Sequence, residues 1–190
     1  MNMRIINSLA LATLLTLTAM PAQAAENGND KVMKILNYAR VTDQHKILNK
    51  LVGSWRGTGS LINSEGGAAE KILCKSTNKM ILGGRFIEQE TTCKGAGFSF
   101  DGVGHFGYDV LSKTYVGTSM NTADSGISTL AGRRSGDKIT FNISHNNVDV
   151  KKRVTSRATL TITDGGHTYE ILSKDKNGDL QPVLSIKYAH

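Results

Sequence analysis

The apolar residues Val32, Ile35, Leu36 and Ala39 recur at i, i+3, i+4 and i+7, the spacing of one helical face. Thr42 or Asp43 is placed to cap a further turn in which Ile47, Leu48, Leu51 and Val52 share a face, and Gly53 is a natural stop. One or two short N-terminal helices are therefore expected. After Gly53 the period falls to two, most plainly in Ile139, Phe141, Ile143, in Ala158, Leu160, Ile162, in Tyr169, Ile171 and in Leu184, Ile186, Tyr188. About ten strands are predicted: Ser54–Ile62, Ala69–Met80, Arg85–Lys94, Phe98–Asp109, Thr114–Asn121, Gly126–Arg133, Lys138–His145, Val148–Thr163, His167–Lys174 and Leu180–Ala189. Turn signals separate them, among them Gly83-Gly84, Ser135-Gly136-Asp137, Asp164-Gly165-Gly166 and Asn177-Gly178-Asp179. Tight turns without a crossover helix imply a mainly β fold, an antiparallel up-and-down meander. About ten such strands lose their exposed edges by closing into a single β-barrel.

Composition agrees. Twenty glycines against two prolines suit short strands with tight turns and bulges. Hydrophobic residues at 39% and charged residues at 21% exclude collagen-like, coiled-coil and strongly charged disordered chains. The net charge is +7. Part of it lies at Arg133-Arg134 and at Lys151, Lys152, Arg153 and Arg157. Lys151, Arg153 and Arg157 share parity with Thr155 and Thr159, opposite Val148, Val150, Val154 and Ala158, and so read as a solvated outer stripe. A nucleic-acid surface would interleave aromatic residues there. None occurs, and no nucleic-acid partner is expected.

Residues 1–24 read as an address. Arg4 lies in a short n-region, Leu9 to Met20 is apolar, and Ala22-Gln23-Ala24 makes an A-x-A cleavage site. The run is too short for a transmembrane span, which needs ~20 apolar residues. Cleavage after Ala24 is expected, giving a periplasmic or secreted protein with no membrane span. The chain then divides into a signal at 1–24, a helical or loose segment at 25–44 and a barrel at 45–190.

Cys74 and Cys93 are the two cysteines. In an oxidising compartment an even count favours one disulfide over two buried thiols. If the second and third predicted strands form a hairpin, Gly83-Gly84 lies midway between the cysteines, which are then directly opposed. Opposed Cβ atoms lie ~4.5–5.5 Å apart, close to disulfide reach.

Three elements carry a resemblance: His45-x-x-Leu48-x-x-Leu51-x-Gly53-x-Trp55-x-Gly57-x-Gly59, then Leu82-Gly83-Gly84-Arg85-Phe86, then Gly104-His105-Phe106-Gly107-Tyr108-Asp109 with Tyr115-Val116. Their order and spacing resemble the bacterial DUF1579 family of uncharacterised proteins, over about His45 to Tyr188. That family resembles the calycins: lipocalins, fatty-acid-binding proteins and nitrobindins. Gly53-Ser54-Trp55 is similar to the G-x-W element that opens lipocalin barrels, and the longer opening is similar to nitrobindin, a haem barrel. The resemblance implies a calycin-like barrel in which Trp55 plugs one end; the other reading of Trp55 is a stacking platform for a ligand. It names no reaction.

Local chemistry is sparse. Gly102-x-Gly104-x-x-Gly107 fits a dinucleotide fingerprint, but a strand rather than a helix follows it, so it reads as a bulged strand. No G-x-S-x-G, P-loop, H-E-x-x-H or C-x-x-C occurs. A nucleophile with a partner histidine would have to assemble in space, and no catalytic residue is assigned. The five histidines have no metal-ligand spacing, so no metal site is expected. By parity His145 continues the Ile139, Phe141, Ile143 face and His167 starts the Tyr169, Ile171 face. Either both point inward near one barrel mouth, or they are wet strand-end residues. Arg85 either pairs with Glu88 or Glu90 or holds an anionic ligand head.

The reading is an exported barrel that binds a small, mostly apolar molecule in its lumen. Candidate binding residues are His145, His167, Tyr169, Tyr188, Trp55 and Arg85. No cofactor is expected; haem would need an inward histidine facing an open wall. An enzyme acting in the cavity, and an envelope accessory protein whose barrel is only a scaffold, also fit the pattern.

Overall fold

A computed structural model describes residues 28–62, 67–148 and 150–190. The expected leader, 1–24, lies outside the described residues. Helix α1 (Gly28–Tyr38) is followed by a short α2 (Asp43–Lys46) that tightens into a 3-10 helix (Ile47–Leu51). Ten strands then follow: β1 (Gly53–Ile62), β2 (Ala69–Ile81), β3 (Phe86–Gly95), β4 (Phe98–Asp109), β5 (Thr114–Asn121), β6 (Asp124–Ser135), β7 (Lys138–Asn147), β8 (Lys152–Thr163), β9 (Gly166–Lys174) and β10 (Leu180–Ala189). Each pairs antiparallel with the next, and β1 pairs with β10, so the sheet is one closed barrel.

One expected strand boundary changes. Val148 and Lys151 lie in the β7–β8 turn, not in β8; Lys151 has φ 51°, a left-handed backbone that ends a ladder. The apolar face of α1 is covered by nothing among the described residues: Val32, Ile35 and Leu36 are all exposed. Amphipathic spacing specifies a helix but not the surface that covers it.

The 3-10 helix does find a partner. Leu48 and Leu51 are fully buried with Ile87, Tyr115, Ile139 and Ile162, closing one end of the barrel. His45 fixes the entry to this plug. Its Nδ1 accepts a hydrogen bond from the Thr42 backbone N–H at 3.0 Å, and its ring meets Tyr108 edge-on. Burial holds His45 below the ordinary histidine pKa. Because hairpins reverse the chain, odd-numbered strands start at the plug and even-numbered strands finish there.

The register places Cys74 opposite Cys93, and the two form a disulfide with sulfurs 2.06 Å apart. Both side chains are buried on the inner face, with Ile72 and Ile186.

Candidate ligand-binding lumen

Inside the barrel lies a cavity of about 1120 Å³. Leu51 and His167 contribute to its deep end, whereas Gly67, Asn121, Val148 and Lys176, from the loops at the far end, surround its mouth. The barrel is therefore a cup: plugged by the 3-10 helix at one end and open at the other. Its middle is apolar, with Phe106, Phe141, Ile143, Leu160, Ile171 and Ile186 on the wall. A second, shallow hollow of about 630 Å³ crosses the outer faces of β2 to β5 and includes Lys75, Glu90, Asp101 and Met120. It lies outside the lumen.

The floor is polar but tightly paired. Leu51 O accepts hydrogen bonds from Trp55 Nε1 and from Asn78 Nδ2, both at 2.8 Å. Ser76 Oγ donates to Asn78 Oδ1 at 2.8 Å, and Thr91 Oγ1 donates to Ser76 Oγ at 3.2 Å. Trp55 is thus part of the floor, 4% exposed, and does not face the open cavity. His167 joins it there, edge-on to Trp55 with centroids 4.9 Å apart and stacked on Tyr188 at 4.6 Å. Its Nδ1 is buried without a hydrogen-bond partner. Burial drives the His167 pKa down to about 4, so the ring is neutral at pH 7. Burial likewise pushes the Tyr188 phenol up to about 12 and the partly buried Tyr169 phenol well above its ordinary value.

His145 is elsewhere. It ends β7 while His167 begins β9, and the single strand between them spans the barrel, so the two histidines occupy opposite ends of the lumen. The expected shared mouth is corrected by that reversal. His145 Nδ1 lies 2.9 Å from Asn146 O and Nε2 lies 2.8 Å from Ser156 Oγ, which in turn lies 3.0 Å from Ser173 Oγ. All three side chains border the cavity. No motif marks Ser156 or Ser173 in the sequence, although Ser156 shares parity with inward Ala158 and Leu160.

Arg85 is not brought to the lumen. Its Nε donates to Ala39 O and its Nη1 to Leu82 O at 3.1 Å, so it clasps the segment after α1 to the β2–β3 turn. It pairs with neither Glu88 nor Glu90: Glu88 Oε2 instead lies 3.3 Å from His105 Nε2. The turn itself supplies the acceptors, because its carbonyls are outside any ladder. The Gly102-x-Gly104-x-x-Gly107 run is also explained. Gly102 and Gly104 border the cavity, and a Cβ on Gly107 would strike the Arg85 carbonyl. The run shapes a barrel wall.

A family model described as "Protein of unknown function (DUF1579)" matches residues 40–190. Among solved structures, one titled "Crystal Structure of Rv2717c from M. tuberculosis" superposes with a TM-score of 0.60 at 15% identity, covering 80% of this chain and 99% of that one. At that identity the likeness concerns fold alone. No curated protein sequence matches the chain.

Proposed function

The chain belongs to the DUF1579 family, and from its lumen we propose that it binds a small, mainly apolar molecule carrying a polar group. The observation that carries this is the cup of about 1120 Å³, apolar along its length and polar at both ends. Ligand pockets have that composition: an apolar wall for affinity and a few placed polar groups for orientation. His145, His167, Tyr169 and Tyr188 are the polar contacts we assign to the guest. Trp55 and Arg85 act indirectly, as floor and clasp.

Residues 1–24 act as an export signal in this reading, leaving 25–44 as a lead-in and 45–190 as the barrel. A disulfide is most at home in the periplasm or outside the cell. N-terminal sequencing should find Ala25; an intact Met1 would overturn export. Haem suits the lumen less well. An axial imidazole needs a free nitrogen facing open space, but both nitrogens of His145 lie within hydrogen-bond distance of partners and His167 is packed between Trp55 and Tyr188.

The test is native mass spectrometry and a visible spectrum of protein from its own envelope, with titration of a fluorescent fatty-acid probe. Co-purified organic mass and saturable 1:1 probe binding are expected. Ligand-free protein that does not bind the probe would overturn the reading, and a Soret band would replace it with haem.

A further inference from the structure

We propose that Ser156 and His145 form a nucleophile–base pair within the lumen, which cleaves carboxylic esters whose acyl part is apolar. This rests on the binding role above, because the acyl chain occupies the same cavity.

The assignment begins with the tautomer. Asn146 O can only accept, so His145 Nδ1, 2.9 Å away, carries the proton. Nε2 is then left with its lone pair and accepts from the Ser156 hydroxyl at 2.8 Å. A hydroxyl hydrogen-bonded to a histidine that a third group orients is the arrangement that activates serine. Ser156 is 2% exposed, yet it borders the cavity. Its hydroxyl therefore faces the guest rather than bulk water.

Two neighbours complete the site. Ser173 Oγ, 3.0 Å from Ser156 Oγ, is a hydroxyl donor beside the position where an oxyanion would form. The Asp124 carboxylate is held by the Gly126 N–H at 3.0 Å and by Asn146 Nδ2 at 3.2 Å. Asn146 is the residue whose carbonyl meets His145 Nδ1, so this contact steadies the group that orients the imidazole. Beside Ser156 lies Ile143, and below it the wall is apolar, with Leu160 and Ile171. An acyl chain directed toward the floor leaves the alcohol part at the mouth.

The chemistry closes without a cofactor. Ser156 Oγ attacks the carbonyl carbon while its proton passes to His145 Nε2. The tetrahedral oxyanion collapses, the bond to the alcohol oxygen breaks, and His145 returns the proton to that oxygen. Water then attacks the acyl-serine, giving its proton to His145. The acid leaves and Ser156 regains its hydrogen.

The test uses the mature protein with an alkyl fluorophosphonate, read by intact mass and peptide mapping, and with p-nitrophenyl octanoate. We expect one phosphonyl adduct on Ser156 with loss of fluoride. It should be absent in Ser156→Ala and formed at least tenfold more slowly in His145→Gln. Octanoate release should fall in parallel. Unchanged far-UV spectra would show that both variants remain folded. No adduct on Ser156, or one formed equally fast in His145→Gln, would overturn the proposal. If the fluorescent fatty acid still saturates while no adduct forms, the esterase activity fails and the binding role stands; if neither is seen, both fail.

Discussion

The two ends of the lumen are built from similar residues and do opposite things. At the plugged end Trp55, Asn78, Ser76 and Thr91 run into one hydrogen-bonded set anchored on Leu51 O, beneath the buried Leu48 and Leu51. Those four side chains are paired within the chain, and the floor's exception is the buried His167 Nδ1, which has no hydrogen-bond partner. At the open end His145, Ser156 and Ser173 form a short chain in which both His145 nitrogens are partnered and the two serines border the cavity. The difference is one of satisfaction rather than composition. A closed network stabilises and fixes one packing, whereas an open one waits for a partner. Stability should therefore track the floor and function the mouth.

The largest effect expected from that contrast is at Trp55. It is nearly fully buried and supplies one of the two hydrogen bonds to Leu51 O. Trp55→Ala should destabilise by about 3–5 kcal/mol, measured by urea unfolding. His145→Ala, at the half-exposed mouth, should cost under about 1 kcal/mol. Equal losses at the two sites would break the contrast between the ends.

Next is the disulfide, which ties β2 to β3 across a sequence separation of 19. Replacing both cysteines by serine releases a loop whose closure contributes about 3 kcal/mol in the chain-entropy treatment. The expected outcome is a similar loss in unfolding free energy, and a thiol count on unreduced, denatured wild type that finds none.

Acid probes the floor directly. Above its ordinary pKa of 6.5 His167 is neutral folded and unfolded, and adds no pH dependence. As pH falls from there toward about 4, the unfolded chain takes up a proton that the folded one refuses, so stability drops. At most about 3 kcal/mol is lost this way, because each tenfold difference in proton affinity corresponds to about 1.36 kcal/mol. His45, whose pKa is lowered in the same direction, adds to the slope. His167→Phe keeps the stack on Tyr188 but cannot be protonated, so its stability should fall less between pH 7 and 4.5. An unchanged slope would mean that His167 is hydrated, and the floor not closed.

How much of this is legible in the chain depends on distance along it. Ile139, Phe141 and Ile143 declare β7 because alternation is local, and Cys74 and Cys93 declare their pairing because one hairpin joins them. Strand parity also puts His145, His167, Tyr169 and Tyr188 on the inner face, where all four border the cavity. What parity cannot supply is height within the barrel. That requires counting chain reversals, and the single strand β8 separates the two histidines. The Ser156–His145 contact joins neighbouring strands, and its signal is present in the chain: Ser156 has inward parity on β8, and β7–β8 pairing sets Ser156 beside Ile143 and His145 beside Val154. The Arg85 clasp is beyond reach, because its acceptor Ala39 lies 46 residues away with no repeating pattern to link them.

The smallest change in stability, and the sharpest test of the cup, is expected at Gly104. A Cβ built there meets Thr118 O at 3.5 Å and Ser119 Cβ at 3.7 Å, ordinary contact distances, so the backbone need not move. Gly104 borders the cavity, and a longer side chain has only the lumen to enter. In Gly104→Leu the gain from replacing a strand glycine, about 0.5–1 kcal/mol, opposes the cost of crowding the wall. Unfolding free energy should therefore change by less than about 1 kcal/mol. Binding of the fluorescent fatty acid should weaken at least tenfold, because the added isobutyl group takes space the guest needs. A variant that keeps both its stability and its affinity would show that the guest does not reach β4, and would confine binding to the His145 side of the mouth.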